Sequence, residues 1–248
     1  MKKQLMGGLV SGLALAVSAC GGGDTAVASS AAGGFRAVNG IPDSSGLTVT
    51  VNGGTTGSAV FGGVTTNYIV PVGTYSTTLS SNGDSFSIGS ISIADNELTT
   101  VFGTGLIGGT HGGFATLQSL AAPPSGEFAL EWVHAAYAES QSVAQFQFYL
   151  VAPGAGTSGA TPTAVSYGNA SSSVDVAAGT YEIIVTDSSG SVVFDSGSKG
   201  VTLPGSSGGD ILTIAALDAT GGSVDGSPVT LLVLQNTGGP QALDDGKN

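Results

Sequence analysis

The chain has 248 residues, of which 42 are glycine and only 9% are charged, while hydrophobic residues make up 41%. That hydrophobic content excludes a disordered chain, and β-branched segments separated by glycine-rich turns predict an all-β protein. The formal charge is −12, with only 5 Lys and Arg residues. This balance excludes nucleic-acid binding, whose affinity comes largely from cations that neutralise phosphates.

The first residues have the pattern of an export signal. Lys2 and Lys3 precede the uncharged segment 5–19, which ends at Cys20. A helix over this segment would span about 22 Å, less than the ~30 Å hydrocarbon core of a bilayer. We therefore predict a cleaved signal peptide over residues 1–19 rather than a permanent transmembrane helix.

The residues around the predicted cleavage point carry a second motif. Val17-Ser18-Ala19-Cys20 resembles the lipobox of bacterial lipoproteins. The resemblance implies cleavage before Cys20, a diacylglyceryl group on its thiol and an acyl chain such as palmitate on its new amine. Two buried chains give stable membrane anchoring, and Gly21 in place of aspartate implies the outer membrane of a Gram-negative envelope. The alternative is an ordinary signal peptide with an incidental cysteine.

Cleavage would leave a strongly acidic protein without disulfides. The mature chain would keep 3 basic residues against 17 acidic ones, a net charge of −14, and Cys20 is the only cysteine. An anionic membrane surface would repel such a chain, so attachment to the membrane depends on the lipid. Residues 20–34 are predicted to form the lipidated cysteine and a flexible linker, because 21–34 is mostly glycine, alanine and serine.

The rest of the chain contains a repeat with the periodicity of strands. Leu47, Val49 and Val51 alternate with threonines, which is typical of a half-buried strand. Val70–Tyr75 recurs as Val176–Tyr181, and the segments 36–39 and 131–134 align, with a loop insertion between residues 152 and 163. We predict two tandem Ig-like Greek-key β-sandwich domains, 35–121 and 128–236, and a disordered tail, 237–248.

Each repeat contains a Gly-Thr-Tyr triplet, Gly73 to Tyr75 and Gly179 to Tyr181. The glycine permits a tight turn between strands, and a tyrosine two residues later is typical of a tyrosine corner, whose hydroxyl bonds back to the backbone. We therefore predict structural roles for Gly73, Tyr75, Gly179 and Tyr181.

The segment 127–145 is ambiguous, because Ala-Leu-Glu-Trp-Val-His-Ala-Ala-Tyr-Ala-Glu contains good helix formers. Its alignment with Phe35 to Val38 instead favours the first strand of the second domain. We follow the repeat and predict a strand.

Three stretches of the first repeat resemble a known bacterial family. The resemblance lies in the segment 36–43 (Arg-Ala-Val-Asn-Gly-Ile-Pro-Asp), followed by the segments 47–52 and 70–75. The family is the one called domain of unknown function forty-three ninety-seven. The resemblance implies an exported, often lipid-anchored protein with Ig-like sandwiches, and it implies no activity, ligand or catalytic residue. The second repeat matches loosely, because 136–139 departs from the Pro-Asp pattern.

Three short motifs mimic enzyme signatures. Residues 103–108 match G-x-G-x-x-G, but the glycines that follow cannot open the helix that a dinucleotide site needs. Residues 205–209 match G-x-S-x-G, but no histidine follows to complete a hydrolase triad. Residues 196–199 match S-x-x-K in a stretch that we interpret as a turn rather than a helix.

Metal ligands are sparse in the sequence. His111 and His134 are the only histidines and lie in different repeats, so a zinc site would need carboxylates from across the domain boundary. The turns 43–46 and 187–190 offer oxygen ligands for calcium but lack its D-x-D-x-D-G spacing, and we favour Asx-type turns there. We expect no metal, cofactor or catalytic residue.

These observations predict a lipid-anchored, non-enzymatic module of the bacterial cell envelope, with a structural or interaction role. Its expected partners are the membrane, through lipid on Cys20, and an envelope protein or glycan; the sequence leaves its oligomeric state open. The alternative is a carbohydrate-binding, adhesin-like module, for which the candidate aromatic residues are Tyr68, Trp132, Tyr137, Tyr149 and Tyr167.

Overall fold

The structure is a computed structural model that describes residues 31–106, 109–203, 210–219, 227–236, 239–243 and 245–246. The predicted signal peptide, the lipobox with Cys20 and the linker up to residue 30 lie outside the described residues, as does the stretch 205–209. In the part of the chain that is described, no helix is long and apolar enough to cross a membrane.

The regular secondary structure of the described residues is almost entirely β-strand, with one four-residue helix, which confirms the all-β fold class. The first repeat, which we call unit 1, contains β1 (Ala32–Asn39), β2 (Leu47–Val51), β3 (Gly54–Ala59), β4 (Tyr68–Pro71), β5 (Gly73–Ser81), β6 (Asp84–Ile93), β7 (Glu97–Gly105) and β8 (His111–Ser119).

The second repeat, unit 2, adds one short helix to its strands. It contains β9 (Glu127–His134), α1 (Tyr137–Ser140), β10 (Gln145–Val151), β11 (Thr163–Ser166), β12 (Val174–Ala177), β13 (Gly179–Thr186), β14 (Val192–Asp195), β15 (Val201–Leu203), β16 (Ile211–Asp218), β17 (Val229–Gln235) and β18 (Gln241–Leu243).

Both units have the same strand connectivity. In unit 1 an inner sheet, β4-β1-β7-β8, faces an outer sheet, β3-β2-β5-β6, and in unit 2 the inner sheet β12-β9-β16-β17-β18 faces the outer sheet β11-β10-β13-β14, with β15 also on β13. The first strand of each unit pairs antiparallel with the fourth and parallel with β7 or β16. The sequence repeat is therefore also a repeat of topology, while the Ig-like assignment stays a prediction.

The two inner sheets pack against each other, so that four sheets are stacked. Each unit has its own apolar core between its two sheets. A third apolar cluster joins the inner sheets and contains residues of both units, among them Val38 and Phe102 with Val133, Leu217 and Leu232. The central strands β1, β7, β9 and β16 are therefore buried on both faces.

This double burial explains the ambiguous segment 127–145. Glu127–His134 forms β9, as the alignment of the repeats predicts, and only Tyr137–Ser140 is helical. A strand buried on both faces, and paired in parallel with β16, needs no polar side on its sequence. The sequence of β9 therefore lacks the regular alternation of apolar and polar residues and resembles that of a helix.

Two predicted boundaries were wrong. The linker does not extend to residue 34, because β1 begins at Ala32; a Cβ on Gly33 would lie 2.3 Å from the carbonyl oxygen of Ala94, so this glycine serves close packing rather than flexibility. The tail is not disordered throughout, because Gln241–Leu243 forms β18 on β17. Leu243 is buried there, and this burial offsets the entropy of ordering the segment.

Candidate functional site

The interface between the two units contains a buried cation. Arg36 of β1 is 1% exposed. Its Nε donates to Oγ1 of Thr100 at 3.0 Å, its Nη1 to the carbonyl oxygen of Gln235 at 3.0 Å and its Nη2 to Oγ1 of Thr213 at 3.2 Å. Two of these acceptors belong to unit 2, so the guanidinium ties the two inner sheets together.

Glu131 of β9 supplies the opposite charge. It is 3% exposed, and its Oε2 has no hydrogen-bond partner among the described residues. Burial raises the pKa of Glu131 to about 7, against the lowering effects of the Arg36 charge and of the nearby Thr213 hydroxyl. Burial likewise lowers the pKa of Arg36 to about 10, so the guanidinium stays charged at neutral pH.

A glutamine completes the polar cluster. The Thr213 hydroxyl accepts from Arg36 and donates to Oε1 of Gln118 at 2.9 Å, while Nε2 of Gln118 donates to the carbonyl oxygen of Leu212 at 2.9 Å. We call Arg36, Thr100, Gln118, Glu131 and Thr213 the interface cluster. Every member belongs to an inner sheet.

Equivalent positions of the repeat meet in this cluster. Arg36 aligns with Glu131 in the sequence, and their parallel neighbours across the ladder are Thr100 and Thr213. The same face of each unit therefore forms the contact, with a cation on one side and a carboxyl group on the other. Such an exchange favours pairing of unit 1 with unit 2 over pairing of two identical units, because like charges would then be buried together.

One end of the interface is aromatic. The Tyr167 hydroxyl lies 2.7 Å from Oγ1 of Thr104 in unit 1, and its ring contacts Phe114, His134 and Tyr137 with centroid distances of 5.7 to 6.0 Å. The Asp218 carboxylate accepts the backbone N–H groups of residues 137 and 138 at 2.9 Å. These contacts fix the start of α1 against the end of β16.

His134 is a core residue in this structure. It is 0% exposed, and its ring stacks on Phe146 with a centroid distance of 3.9 Å. Burial lowers the pKa of His134 to about 4, against a smaller raising effect of the Val143 backbone. Since the imidazole is neutral at physiological pH and stacked on a ring, its role is packing.

The second histidine lies elsewhere. His111 begins β8, and its ring is 4.6 Å from that of Phe86 in unit 1. Within the described residues, no group of three or more His, Cys, Asp or Glu side chains could hold a metal ion.

The motif segments have structural roles where they are described. Gly103 lies in β7, where a Cβ would come within 2.7 Å of the Leu47 side chain; residues 107 and 108 of this motif lie outside the described part. Residues 196–199 follow β14 as a turn, in agreement with the interpretation from the sequence, and Oγ of Ser196 accepts the N–H of Ile183 at 2.8 Å.

The turn at Asp187 is an Asx-type turn. Its Oδ1 accepts the backbone N–H groups of Ser189 and Ser191, each at 2.8 Å. The Ser189 hydroxyl and these N–H groups lower the pKa of the Asp187 carboxyl. This carboxylate is thus engaged by its own turn.

Both Gly-Thr-Tyr triplets form the same corner. The Tyr75 hydroxyl donates to the carbonyl oxygen of Pro71 and the Tyr181 hydroxyl to that of Ala177, each at 2.7 Å. A Cβ on Gly73 or Gly179 would lie 3.4 or 3.3 Å from the following tyrosine ring. The glycine therefore makes room for the ring to fold back on the turn.

The aromatic candidates for sugar stacking are engaged within the protein. Trp132 is 2% and Tyr149 is 9% exposed. Tyr137 and Tyr167 belong to the aromatic end of the interface, and Tyr68 packs against the core of unit 1. A sugar ring has no open face to stack on at Trp132 or Tyr149.

The outer sheet of unit 1 presents a surface that the sequence analysis missed. The strand registers place a serine or threonine at each outward position of β2, β5 and β6 and at two positions of β3, and these side chains are exposed or half-buried. We call this set the hydroxyl face: Thr48, Thr50, Thr55, Ser58, Thr74, Ser76, Thr78, Ser80, Ser85, Ser87, Ser90 and Ser92.

The hydroxyl face is uncharged and available for hydrogen bonding. Only Ser87 among its members has side-chain hydrogen bonds to other described residues: its hydroxyl accepts the N–H of Gly89 at 3.1 Å and donates to the carbonyl oxygen of Thr77 at 3.4 Å. A shallow groove of about 460 Å³ crosses one end of the face, lined by Thr48, Ser58 and Ser80 among others. The alternation of Ser and Thr with apolar residues is the sequence signal that could have indicated this face.

Comparisons with known proteins give a family match for part of the chain but no activity. Among solved structures, the chain is similar to a leucine-rich repeat protein from Bacteroides thetaiotaomicron VPI-5482, with 13% identity and a TM-score of 0.20, over 77% of this chain and 26% of that one. The chain spans about a quarter of that protein's length. No curated protein matches. Residues 33–143, which cover unit 1 and the start of unit 2, match the model of the family described as Domain of unknown function (DUF4397), the same family that the sequence resembles.

Proposed function

We propose that the chain is a lipid-anchored protein of the bacterial cell envelope that acts as a non-enzymatic structural or interaction module. It is cut before Cys20, modified by lipid on that residue and held at the outer membrane. The anchor is supported by the lipobox in the sequence. Only a short segment separates Cys20 from Ala32, where β1 begins, so the stacked sheets lie close to the membrane.

The burial of three ionisable side chains is the observation that carries the non-enzymatic role. Arg36, Glu131 and His134 have the strongly shifted pKa values that are typical of catalytic groups. All three are at most 3% exposed. Glu131 joins the units and His134 fills the core. Arg36 lines a pocket of about 390 Å³ formed by residues of both units, but its guanidinium is already engaged by Thr100, Gln235 and Thr213. In this proposal the protein acts through the surfaces that it presents to its partners.

The hydroxyl face is the contact surface that we propose. An uncharged face is unusual on a chain of net charge −12, and its hydroxyls can both donate and accept hydrogen bonds. These properties favour a neutral, hydroxyl-rich partner, so a glycan is the second candidate function. In this proposal the glycan contacts the hydroxyl face rather than the aromatic residues.

Two measurements test the proposal. The intact mass of the protein from its host membrane is expected to match a chain that starts at Cys20 and carries diacylglyceryl and acyl groups. An unmodified precursor in a soluble fraction would refute the anchor.

For the contact surface, Ser76→Lys places a charge in the middle of the hydroxyl face, and Thr161→Lys in an exposed loop of unit 2 is its matched control. We expect only Ser76→Lys to weaken the affinity for isolated envelope glycans by at least about tenfold. If the partner is an envelope protein, only Ser76→Lys should lower the yield of crosslinked complexes in cells to a similar extent. Equal effects of the two variants would exclude the hydroxyl face as the contact surface.

A further inference from the structure

Unit 1 contains an apolar pocket that its own core does not fill. The pocket has a volume of about 230 Å³, and the described residues that line it include no charged side chain. Its apolar wall is formed by Phe35, Val51, Val70, Tyr75, Ile91 and Ile93. Asn52 and Thr56 line it near the β2–β3 turn.

Unit 1 has a smaller side chain than unit 2 at one position of the pocket wall, Val51, and at one further core position, Ala37. The ladders pair Val49 with Leu79 and Phe148 with Val185, which are equivalent positions of the repeat. By the same register Val51 corresponds to Leu150, and Ala37 corresponds to Trp132. Unit 2 thus fills its core with bulkier groups at these positions, and Trp132 stacks on Phe148 at 5.1 Å.

The pocket lies at the end of unit 1 where the chain enters. Ala32 and Gly33 pair with Pro71 and Val70, and Val70 is part of the apolar wall. The residues between Cys20 and Ala32 could extend over at most about 40 Å. A group attached to Cys20 can therefore reach the pocket.

We propose that this pocket binds a single acyl chain, and that the chain comes from the lipid on Cys20. An apolar cavity of 150 Å³ accepts benzene, so the pocket has room for roughly nine carbon atoms of a linear chain. A free fatty acid would bring a carboxylate to a site without a cation on an acidic protein. The ester-linked chains of a diacylglyceryl group are uncharged and avoid this cost. The source of the chain rests on the proposed lipid anchor, whereas the acyl-binding site itself does not.

Binding is tested on the unlipidated mature protein, residues 20–248 with Cys20→Ser. The probe is decyl maltoside below its micelle concentration, a single ten-carbon chain on a neutral headgroup. We expect saturable binding in calorimetry, with NMR shifts of the methyl groups of Val51, Val70, Ile91 and Ile93. Maltose alone shows which shifts come from the headgroup. Absence of binding, or no shift of these four methyl-bearing residues beyond the shift that maltose causes, would overturn the site.

A filled pocket provides the matched variants. Val51→Phe in the Cys20→Ser protein is expected to weaken decyl maltoside binding at least about tenfold, while Leu150→Phe at the equivalent position of unit 2 leaves it unchanged. Thermal melting checks that both variants fold, and if Val51→Phe does not, the NMR shifts of the parent protein decide. Unchanged affinity in a folded Val51→Phe protein contradicts the proposal.

The source of the chain is tested by comparing lipidated and unlipidated protein. Lipidated protein from host membranes is expected to bind the decyl probe at least about tenfold more weakly than the Cys20→Ser protein, because its own chain occupies the pocket. Equal affinities would show that the chain comes from another lipid. An intact mass without lipid would refute the anchor yet leave probe binding by the Cys20→Ser protein intact, so the two failures are distinguishable.

Discussion

Units 1 and 2 share one strand connectivity but use it differently. Unit 2 has a core filled with aromatic rings, and the outward face of its outer sheet buries Tyr149, Val151 and Ile184 next to Ala160 of the inserted loop. Unit 1 has smaller core residues, an apolar pocket and an uncovered hydroxyl face. From this comparison we propose that unit 2 mainly stabilises the molecule, whereas unit 1 makes the contacts with partners.

These proposed roles depend on the interface, because it joins the two units to each other. The apolar cluster between the inner sheets and the hydrogen bonds of Arg36 to unit 2 predict that the units unfold together. Four predictions, in order of decreasing effect, test this view of the two units.

The largest effect is expected in the core of unit 2. Trp132→Ala removes a buried ring that stacks on Phe148 and should lower the free energy of unfolding by about 4 kcal/mol. Urea unfolding monitored by circular dichroism measures it, with the exposed Lys199→Ala as a control that changes stability by less than about 0.5 kcal/mol. A loss below about 1 kcal/mol would show that unit 2 is not the stabilising half.

The second prediction concerns the interface cluster. Arg36→Ala removes three hydrogen bonds and leaves Glu131 without its counter-charge, so we expect a loss of about 3 kcal/mol. Calorimetry should show one unfolding transition in the parent protein and two in the variant, since the units then unfold separately. A single transition in the variant would mean that the apolar cluster alone couples the units.

The third prediction is a pH dependence with two opposing parts. The pKa of Glu131 is raised to about 7, so the folded chain keeps a proton that the unfolded chain releases, and stability falls as pH rises from about 4.5 to about 7. The pKa of His134 is lowered to about 4, so the unfolded chain binds the extra proton, and stability falls as pH drops from about 6.5 to about 4. Each contribution amounts to about 3 kcal/mol.

Substitutions separate the two contributions. Glu131→Gln should leave the histidine contribution, so that stability rises with pH between about 4.5 and 6.5. His134→Gln should give the opposite slope, and the parent protein should be nearly flat over this range. Urea unfolding at a series of pH values measures the slopes, and three parallel curves would contradict the assignments.

The smallest effect compares the two corners. Tyr75→Phe and Tyr181→Phe each remove one hydrogen bond to a backbone carbonyl and should each cost about 1 kcal/mol. Equal losses would show that the corner has the same role in both units. If only Tyr75→Phe has an effect on the decyl maltoside affinity, the corner of unit 1 also shapes the pocket that Tyr75 lines.

The sequence by itself determined the features that depend on local patterns. Period-two alternation gave the all-β class, the Gly-Thr-Tyr triplets located the corners, and the alignment of Arg36 with Glu131 identified β9 against the helical composition of its segment. Each of these depends on neighbouring residues in the chain or on a comparison of two segments of it, so the order of the residues is sufficient evidence.

Only the tertiary structure decided which faces meet. A cation at position 36 and a carboxyl group at 131 would both be expected at the surface, and they are buried because two inner sheets from distant parts of the chain pack together. The same holds for the pocket, which depends on side-chain volumes across two sheets. It also holds for the hydroxyl face, on which no described loop residue packs in the way that Ala160 of the inserted loop packs on the outer sheet of unit 2. A local pattern can show which side of a strand is apolar, but which faces pack against each other depends on contacts between remote segments.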